Sequence, residues 1–209
     1  MTEPTENLDK IIAELEEKCS ETPESLMAHH HLALVYRKAG RSEDAIRELK
    51  RAVEIDEFSS ESHINLGAIY YEQGRIDESL AANKKALFNA GHPAQGQAHN
   101  NIGLIMQQRG NIKEAIDSYT KAVQNDPRLM MGWVNLATAH VMAGSFNEAE
   151  SAARKALELD PDFGMAHNNL AVALYYSKEY KAARDAMNKA REKGYEVDPR
   201  FIEAVNKEL

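Results

Sequence analysis

The sequence contains a single cysteine, Cys19, among its 209 residues. One cysteine excludes an internal disulfide, and it also excludes a cysteine-based zinc site within one chain. A reducing, cytoplasmic setting is the simplest interpretation. Long apolar runs are missing as well, so the sequence predicts no membrane span. The acidic and polar start of the chain does not resemble a secretory signal, and we expect none.

Excess positive charge is also absent, because 33 Asp and Glu residues outnumber 25 Lys and Arg residues and give a formal net charge of −8. Proteins that bind nucleic acids usually carry a basic face, so the composition argues against a nucleic-acid partner. The negative charge is concentrated in residues 1–25, which hold eight acids and two lysines. We interpret this segment as an acidic N-terminal arm on a nearly neutral body.

A recurring phrase organises the body of the chain. It reads His-Ile-Asn-Leu-Gly at 63–67, His-Asn-Asn-Ile-Gly at 99–103, Trp-Val-Asn-Leu-Ala at 133–137 and His-Asn-Asn-Leu-Ala at 167–171, with an earlier variant at 29–33. Glycines follow the same period, since Gly40, Gly74, Gly110 and Gly144 are spaced by 34, 36 and 34 residues. A fixed period of this length is typical of a repeat architecture.

Each period has the pattern of two helices. Leu32, Tyr36 and Ala39 recur at helical spacing, Gly40 interrupts the pattern, and a second helical segment follows. The last residue of the recurring phrase is small in every period, which would let the two helices approach closely. These small residues are Ala33, Gly67, Gly103, Ala137 and Ala171.

The recurring pattern consists of a large residue, then Leu-Gly or Leu-Ala, a turn glycine and a closing proline. In this pattern the chain resembles the tetratricopeptide repeat family. The third period matches through His99, Gly103, Gly110, Tyr119 and Pro127. The resemblance implies an all-α fold, a right-handed α-α superhelix (solenoid) of about five tetratricopeptide repeats. We place the repeats at 26–59, 60–95, 96–129, 130–163 and 164–197.

Capping helices are expected at both ends of such a solenoid. Leu8, Ile11 and Leu15 form an apolar stripe, so residues 1–25 are predicted to combine the acidic arm with an N-terminal capping helix. Asp198 and Pro199 are typical of a helix start, and residues 198–209 are predicted to form a C-terminal capping helix.

Two repeats depart from the family pattern. The second has Ser79 and Asn83 where alanine and an aromatic residue are expected. We expect this change to weaken the contact between the second and third repeats. The fifth has Ser177 and Lys178 in place of the turn glycine, which should be tolerated.

Catalytic motifs are absent from the sequence, which has neither a phosphate-binding loop nor a nucleophile elbow. We therefore predict no enzyme, no cofactor and no metal site. Histidines 29, 63, 99 and 167 share one repeat position, but packed helices lie about 10 Å apart, too far for two rings to share an ion. Because Trp133 takes the same position, we interpret each ring as packed between helices with a nitrogen bonded locally.

In the family that the chain resembles, the first helix of each repeat lines the concave side. The sixth repeat position then gives His31, Asn65, Asn101, Asn135 and Asn169. An amide both donates and accepts hydrogen bonds, so a row of amides can hold an extended peptide backbone whatever its side chains. The alternative is that asparagine serves packing here. Asn100 and Asn168 add amides beside the row and favour binding.

The other inward positions indicate the character of the ligand. Uncharged candidates lie in the later repeats, namely Gln108, Met131, Met142 and Tyr175, whereas the first repeat has Arg37 and Lys38. Methionine and tyrosine suit binding surfaces. We predict that the later repeats prefer an apolar or amide-rich segment and that the basic pair takes an acidic end of it.

Two hypotheses on function follow. The first is a non-catalytic adaptor that binds an extended segment of a protein partner in its concave groove. The alternative is a self-assembling structural scaffold, a homo-oligomer in which residues 1–25 dock near Arg37 and Lys38 of a neighbouring chain. The basic clamp by which some family members bind carboxy-terminal tails is absent, because the second and fifth repeat positions lack its lysines and arginine.

Overall fold

The computed structural model describes residues 4–89 and 91–209. Residues 1–3 of the predicted arm and Ala90 of the second predicted repeat lie outside the described residues. The described part of the chain folds into twelve α-helices without a strand. The helices are α1 (Pro4–Glu21), α2 (Leu26–Lys38), α3 (Ser42–Ile55), α4 (Ser60–Glu72), α5 (Ile76–Ala86), α6 (Gln95–Gln108), α7 (Ile112–Asn125), α8 (Met130–Ala143), α9 (Phe146–Leu159), α10 (Gly164–Tyr176), α11 (Tyr180–Glu192) and α12 (Pro199–Lys207).

The prediction of an all-α helical repeat solenoid is confirmed. The number of repeats and their predicted boundaries stay predictions. The helices form two compact units, of which the N-terminal unit ends at Asn101 and the C-terminal unit comprises Ile102–Leu209. None of the described helices combines the length and the apolar character needed to cross a bilayer.

Consecutive helices pack as hairpins, with α2 on α3 and α4 on α5 in the N-terminal unit and α8 on α9 and α10 on α11 in the C-terminal unit. Tight turns join the two helices of a hairpin. Gly144 ends α8 with φ 73°, in the left-handed region that favours glycine. Lys178 adopts the same conformation after α10, with φ 65°, so the turn forms there without a glycine.

The small residue of the recurring phrase faces the second helix of its own hairpin. A Cβ atom on Gly103 would lie 2.5 Å from the ring of Tyr119, a side chain that is fully buried. Gly67 faces Asn83 at a similarly close approach. Glycine is therefore required where the opposing side chain is planar and broad.

Ser79 and Asn83 are buried inside the α4–α5 hairpin and form hydrogen bonds there. The Ser79 hydroxyl donates to the backbone carbonyl of Gly67 at 2.7 Å, and the Asn83 amide donates to the carbonyl of Ser79 at 2.9 Å. These bonds compensate for burying two polar side chains where the family has alanine and an aromatic residue. The expected weakening toward the third repeat stays a prediction.

Terminal helices cover the outermost hairpins. Ile12 and Cys19 of α1 are buried against Leu32 and Tyr36 of α2, and the Tyr36 hydroxyl donates to Glu16. At the other end, Val205 of α12 is fully buried in the core of the C-terminal unit. Both helices thereby remove apolar surface of a hairpin from water.

Candidate functional site

The ring at the fourth repeat position donates a hydrogen bond to the backbone carbonyl six residues earlier. His63 Nε2 lies 2.9 Å from the carbonyl of Glu57, and His167 Nε2 lies 2.8 Å from that of Pro161. Trp133 Nε1 makes the same bond to Pro127 at 2.9 Å. The prediction of locally bonded, packed rings is confirmed at these positions. Tryptophan replaces histidine because its indole N–H can donate in the same direction.

The amides of the N-terminal unit contact neighbouring helices. The Asn65 amide donates to His30 Nε2 at 3.3 Å, and His30 Nδ1 contacts the Ser62 hydroxyl at 3.0 Å. The Asn101 amide donates to Asn83 Oδ1 at 2.9 Å. Asn65 and Asn101 are both half-buried. The hydrogen bond of each side chain connects a first helix to the preceding hairpin.

The amides of the later repeats differ in their burial. Asn169 is buried, and its amide donates to the Thr138 hydroxyl at 2.9 Å and to the Val134 carbonyl at 3.3 Å, both on α8. Asn135 and Asn168 are half-buried. Asn100, which belongs to the N-terminal unit, is buried.

Asparagine at the sixth position therefore has a packing role in this chain. For Asn65, Asn101 and Asn169 the amide nitrogen donates a hydrogen bond to the preceding hairpin. This supports the packing alternative for part of the row. Contact between these amides and a bound peptide stays a prediction.

Apolar side chains on the first helices of the C-terminal unit reach solvent. Met131 and Met142 of α8 are 39% and 55% exposed, and Tyr176 of α10 is 56% exposed. Tyr175, the tyrosine chosen from the sequence, is half-buried and lies edge-on to Phe201 with ring centroids 5.5 Å apart. The adjacent Tyr176 is thus the tyrosine that a ligand can reach.

A cleft of about 350 Å³ lies beside Asn168 where α12 begins. Its walls come from α10, the segment that follows α11 and the first residues of α12. The lining residues are Asn168, Val172, Tyr195, Glu196, Val197, Asp198, Pro199 and Phe201. The cleft thus lies between the uncharged helix α10 and a segment that carries two acidic residues, Glu196 and Asp198.

The basic pair of the first repeat is only partly available. Arg37 forms an ion pair with Glu72, whereas Lys38 is exposed. Two apolar residues on the same helix, Met27 and Leu34, are 57% and 37% exposed and were not among the residues predicted to form the site. Gln108, another residue predicted to line the groove, lies at the end of α6 and is exposed.

One tetratricopeptide repeat profile matches residues 24–89 and 58–128, and a second matches residues 134–196. Comparison with curated proteins gives no match. Among solved structures, the fold is similar to that of YrrB, a TPR protein with an unusual peptide-binding site. That similarity has a TM-score of 0.70 at 19% identity and covers 92% of this chain and 97% of YrrB.

Two further structures are similar. MamA has a TM-score of 0.66 at 22% identity, with 76% of this chain and 91% of MamA covered. PilF of Pseudomonas aeruginosa has a TM-score of 0.75 at 22% identity, with 88% of this chain and 84% of PilF covered. At these identities the likeness concerns the fold.

Proposed function

Because the chain belongs to the tetratricopeptide repeat family, whose members are generally non-catalytic modules for protein–protein interaction, we propose that it is an adaptor that binds an extended segment of a partner protein. The binding face that we propose is formed by α8 and α10 of the C-terminal unit. The observation that carries this proposal is the exposure of Met131, Met142 and Tyr176 on these two adjacent helices.

The absence of charge on these helices supports the proposal. Neither α8 nor α10 contains Asp, Glu, Lys or Arg, although both reach solvent. A helix that is exposed on one side normally carries charged residues there, as α9 does with Glu150, Arg154 and Lys155. Exposed apolar surface without charge is typical of interaction sites.

The side chains indicate which segment would bind. Methionine adapts to different shapes, and tyrosine adds a rigid ring with a hydroxyl that can form a hydrogen bond. Asn168 and the adjacent cleft offer an amide to the peptide backbone. An apolar or amide-rich segment fits the uncharged helices α8 and α10 better than a charged one. The peptide-binding site of YrrB is a precedent for peptide binding on the same fold.

Selection from a library of random peptides displayed on phage tests this function. We expect the full chain to enrich peptides with apolar residues. Met131→Asp and Met142→Asp should each weaken binding of an enriched peptide about tenfold, because each places a charge in an apolar contact. The matched control is Leu159→Asp on α9, which adds the same charge at a residue that is 41% exposed and should leave affinity unchanged. Equal losses in all three variants, or no enriched peptide, would contradict the proposal.

The role of the amide row needs a separate test. If Asn101 and Asn135 contact the peptide, the double variant Asn101→Ala/Asn135→Ala loses affinity for an enriched peptide while its unfolding free energy changes little. If these amides act only in packing, stability falls and peptide affinity per folded molecule is unchanged. The two outcomes are distinguished by measuring binding and urea unfolding on the same preparation.

Self-assembly through the acidic arm stays a prediction. The described part of the arm includes α1, which packs on α2 of its own chain through Ile12 and Cys19. Arg37 also has Glu72 as a partner, which reduces the positive charge offered to a neighbouring chain. Light scattering over a range of protein concentrations measures whether the full chain forms an oligomer.

A further inference from the structure

Three side chains with metal-binding atoms converge in the N-terminal unit. Cys19 lies on α1, His29 on α2 and Glu48 on α3, and one ligand atom from each lies within 4.8 Å of the other two. Cys19 and His29 are each 8% exposed, and the Glu48 side chain is 15% exposed. Among the side chains that the structure describes, those of residues 8–89 and 91–209, no other group of three meets in this way.

Hydrogen-bond accounting at His29 points to a cation. Its Nε2 lies 3.1 Å from the carbonyl oxygen of Pro23, and because a carbonyl only accepts, Nε2 carries the hydrogen. In a neutral ring Nδ1 then has a lone pair, yet Nδ1 lies 2.7 Å from the Glu48 carboxyl oxygen Oε2. Two lone pairs at this distance repel unless a proton or a metal ion lies between them.

The other repeats show that the architecture does not require this carboxylate. His63 and His167 make the same Nε2 bond to a backbone carbonyl. At His167, Nδ1 is buried and has no hydrogen-bond partner among the described residues. His29 therefore differs from His63 and His167 in contacting a carboxylate through Nδ1, and Cys19 of α1 supplies a sulfur atom beside it.

We propose that Cys19, His29 and Glu48 bind one zinc ion through Sγ, Nδ1 and a carboxylate oxygen. Zinc takes sulfur, nitrogen and oxygen ligands in a tetrahedron with bonds of about 2.0 to 2.3 Å. Ligand atoms in such a site are roughly 3 to 4 Å apart, so a small rotation of the side chains closes it. The fourth position would be taken by solvent, and the ion would link α1, α2 and α3.

We expect Cys19 to bind zinc as the thiolate, because the thiolate and not the thiol is a metal ligand. A dication at this position stabilises the thiolate, and binding releases the proton. The sequence predicts no metal site, because Cys19 is its single cysteine and the repeated histidines are too far apart to share an ion, whereas the fold brings Cys19, His29 and Glu48 together.

Zinc titration of the full chain, after treatment with a chelator and a reductant, tests the proposal. With a chromogenic chelator as competitor, we expect one zinc per chain. Cys19→Ser, His29→Gln and Glu48→Gln should each weaken zinc binding by about tenfold or more. The matched control is His63→Gln, which alters a histidine at the same repeat position without a thiol or carboxylate among its hydrogen-bond partners and should leave zinc affinity unchanged.

Cobalt(II) provides a spectroscopic readout that is recorded first on the unaltered full chain. Bound through Cys19, it should give a sulfur-to-cobalt charge-transfer band in the near ultraviolet, and Cys19→Ser should lose that band. Zinc should raise the melting temperature of the full chain while magnesium does not, because zinc binds the folded state. Cobalt binding without the band, zinc affinity that survives Cys19→Ser, or an equal loss in His63→Gln would each overturn the proposal.

Discussion

Replacing Gly103 with alanine tests the closest contact inside a hairpin of the C-terminal unit. The new Cβ would lie 2.5 Å from two carbons of the Tyr119 ring. Tyr119 is fully buried, and its hydroxyl donates to Gln107 Oε1 at 3.1 Å. The ring therefore cannot move away without losing packing and distorting that bond, so the helices themselves must separate.

Two opposing terms set the magnitude. Overpacking of this kind costs about 1 to 3 kcal/mol. Alanine in place of glycine within a helix gains about 1 kcal/mol. The unfolding free energy of Gly103→Ala should therefore fall by up to about 2 kcal/mol, although the same change in an exposed helix would raise it by about 1 kcal/mol.

A second substitution isolates the clash. The equivalent pair in the first repeat is Ala33 with Leu49, which are both fully buried in one core cluster. In a Tyr119→Leu background, Gly103→Ala should then be neutral or stabilising, and the double-mutant cycle should give a coupling energy of about 2 kcal/mol. Urea unfolding followed by circular dichroism measures all four proteins. If the two substitutions are additive, the close contact is not what makes glycine necessary.

Two other predictions concern the backbone and the buried histidines. Lys178→Gly should stabilise the chain by about 1 kcal/mol, because Lys178 has φ 65° in the turn after α10, whereas Arg184→Gly on the exposed side of α11 should destabilise it by about 1 kcal/mol. Thermal unfolding of both variants checks the opposite signs, and equal signs would contradict the argument. Burial lowers the pKa of His30 and of His63 below the ordinary histidine value of 6.5, so the unfolded chain takes up protons first. Their contribution to stability is complete above that value and is lost as the pH falls through it. Urea unfolding at about pH 7.5 and about pH 5.5 should show this loss, and the loss should be smaller in His30→Gln/His63→Gln.

Helices and turns were predictable because they depend on local chemistry that repeats along the chain. The period of the glycines indicated the hairpin turns, and Gly40, Gly74, Gly110 and Gly144 all have φ between 73° and 77°. The small residue of the recurring phrase predicted close helix packing, and Gly103 has it. Lys178 shows the limit of this approach, because a turn can form without its usual residue when the flanking helices hold it.

Contacts between repeats were less predictable, because a sequence period gives the face of a helix and not the distance to the next one. The sixth position was expected to offer free amides, but Asn65 and Asn169 reach the preceding hairpin. Cys19 and Glu48 meet His29 from two other helices, and no local pattern marks their approach. Such contacts appear only when the helices are placed in space.

The pattern of charged residues was more informative about the site than the row of amides. An amide can be satisfied by a neighbouring backbone or side chain, as Asn169 is, so its presence at an inward position does not distinguish packing from binding. A methionine side chain has no hydrogen-bond donor and only a weak acceptor, so it cannot be satisfied in this way. Met131 and Met142 belong to α8, a helix without Asp, Glu, Lys or Arg that nevertheless reaches solvent, and this combination costs solvation unless another molecule covers it. The absence of charge from both α8 and α10 is therefore stronger evidence for a partner than a row of amides.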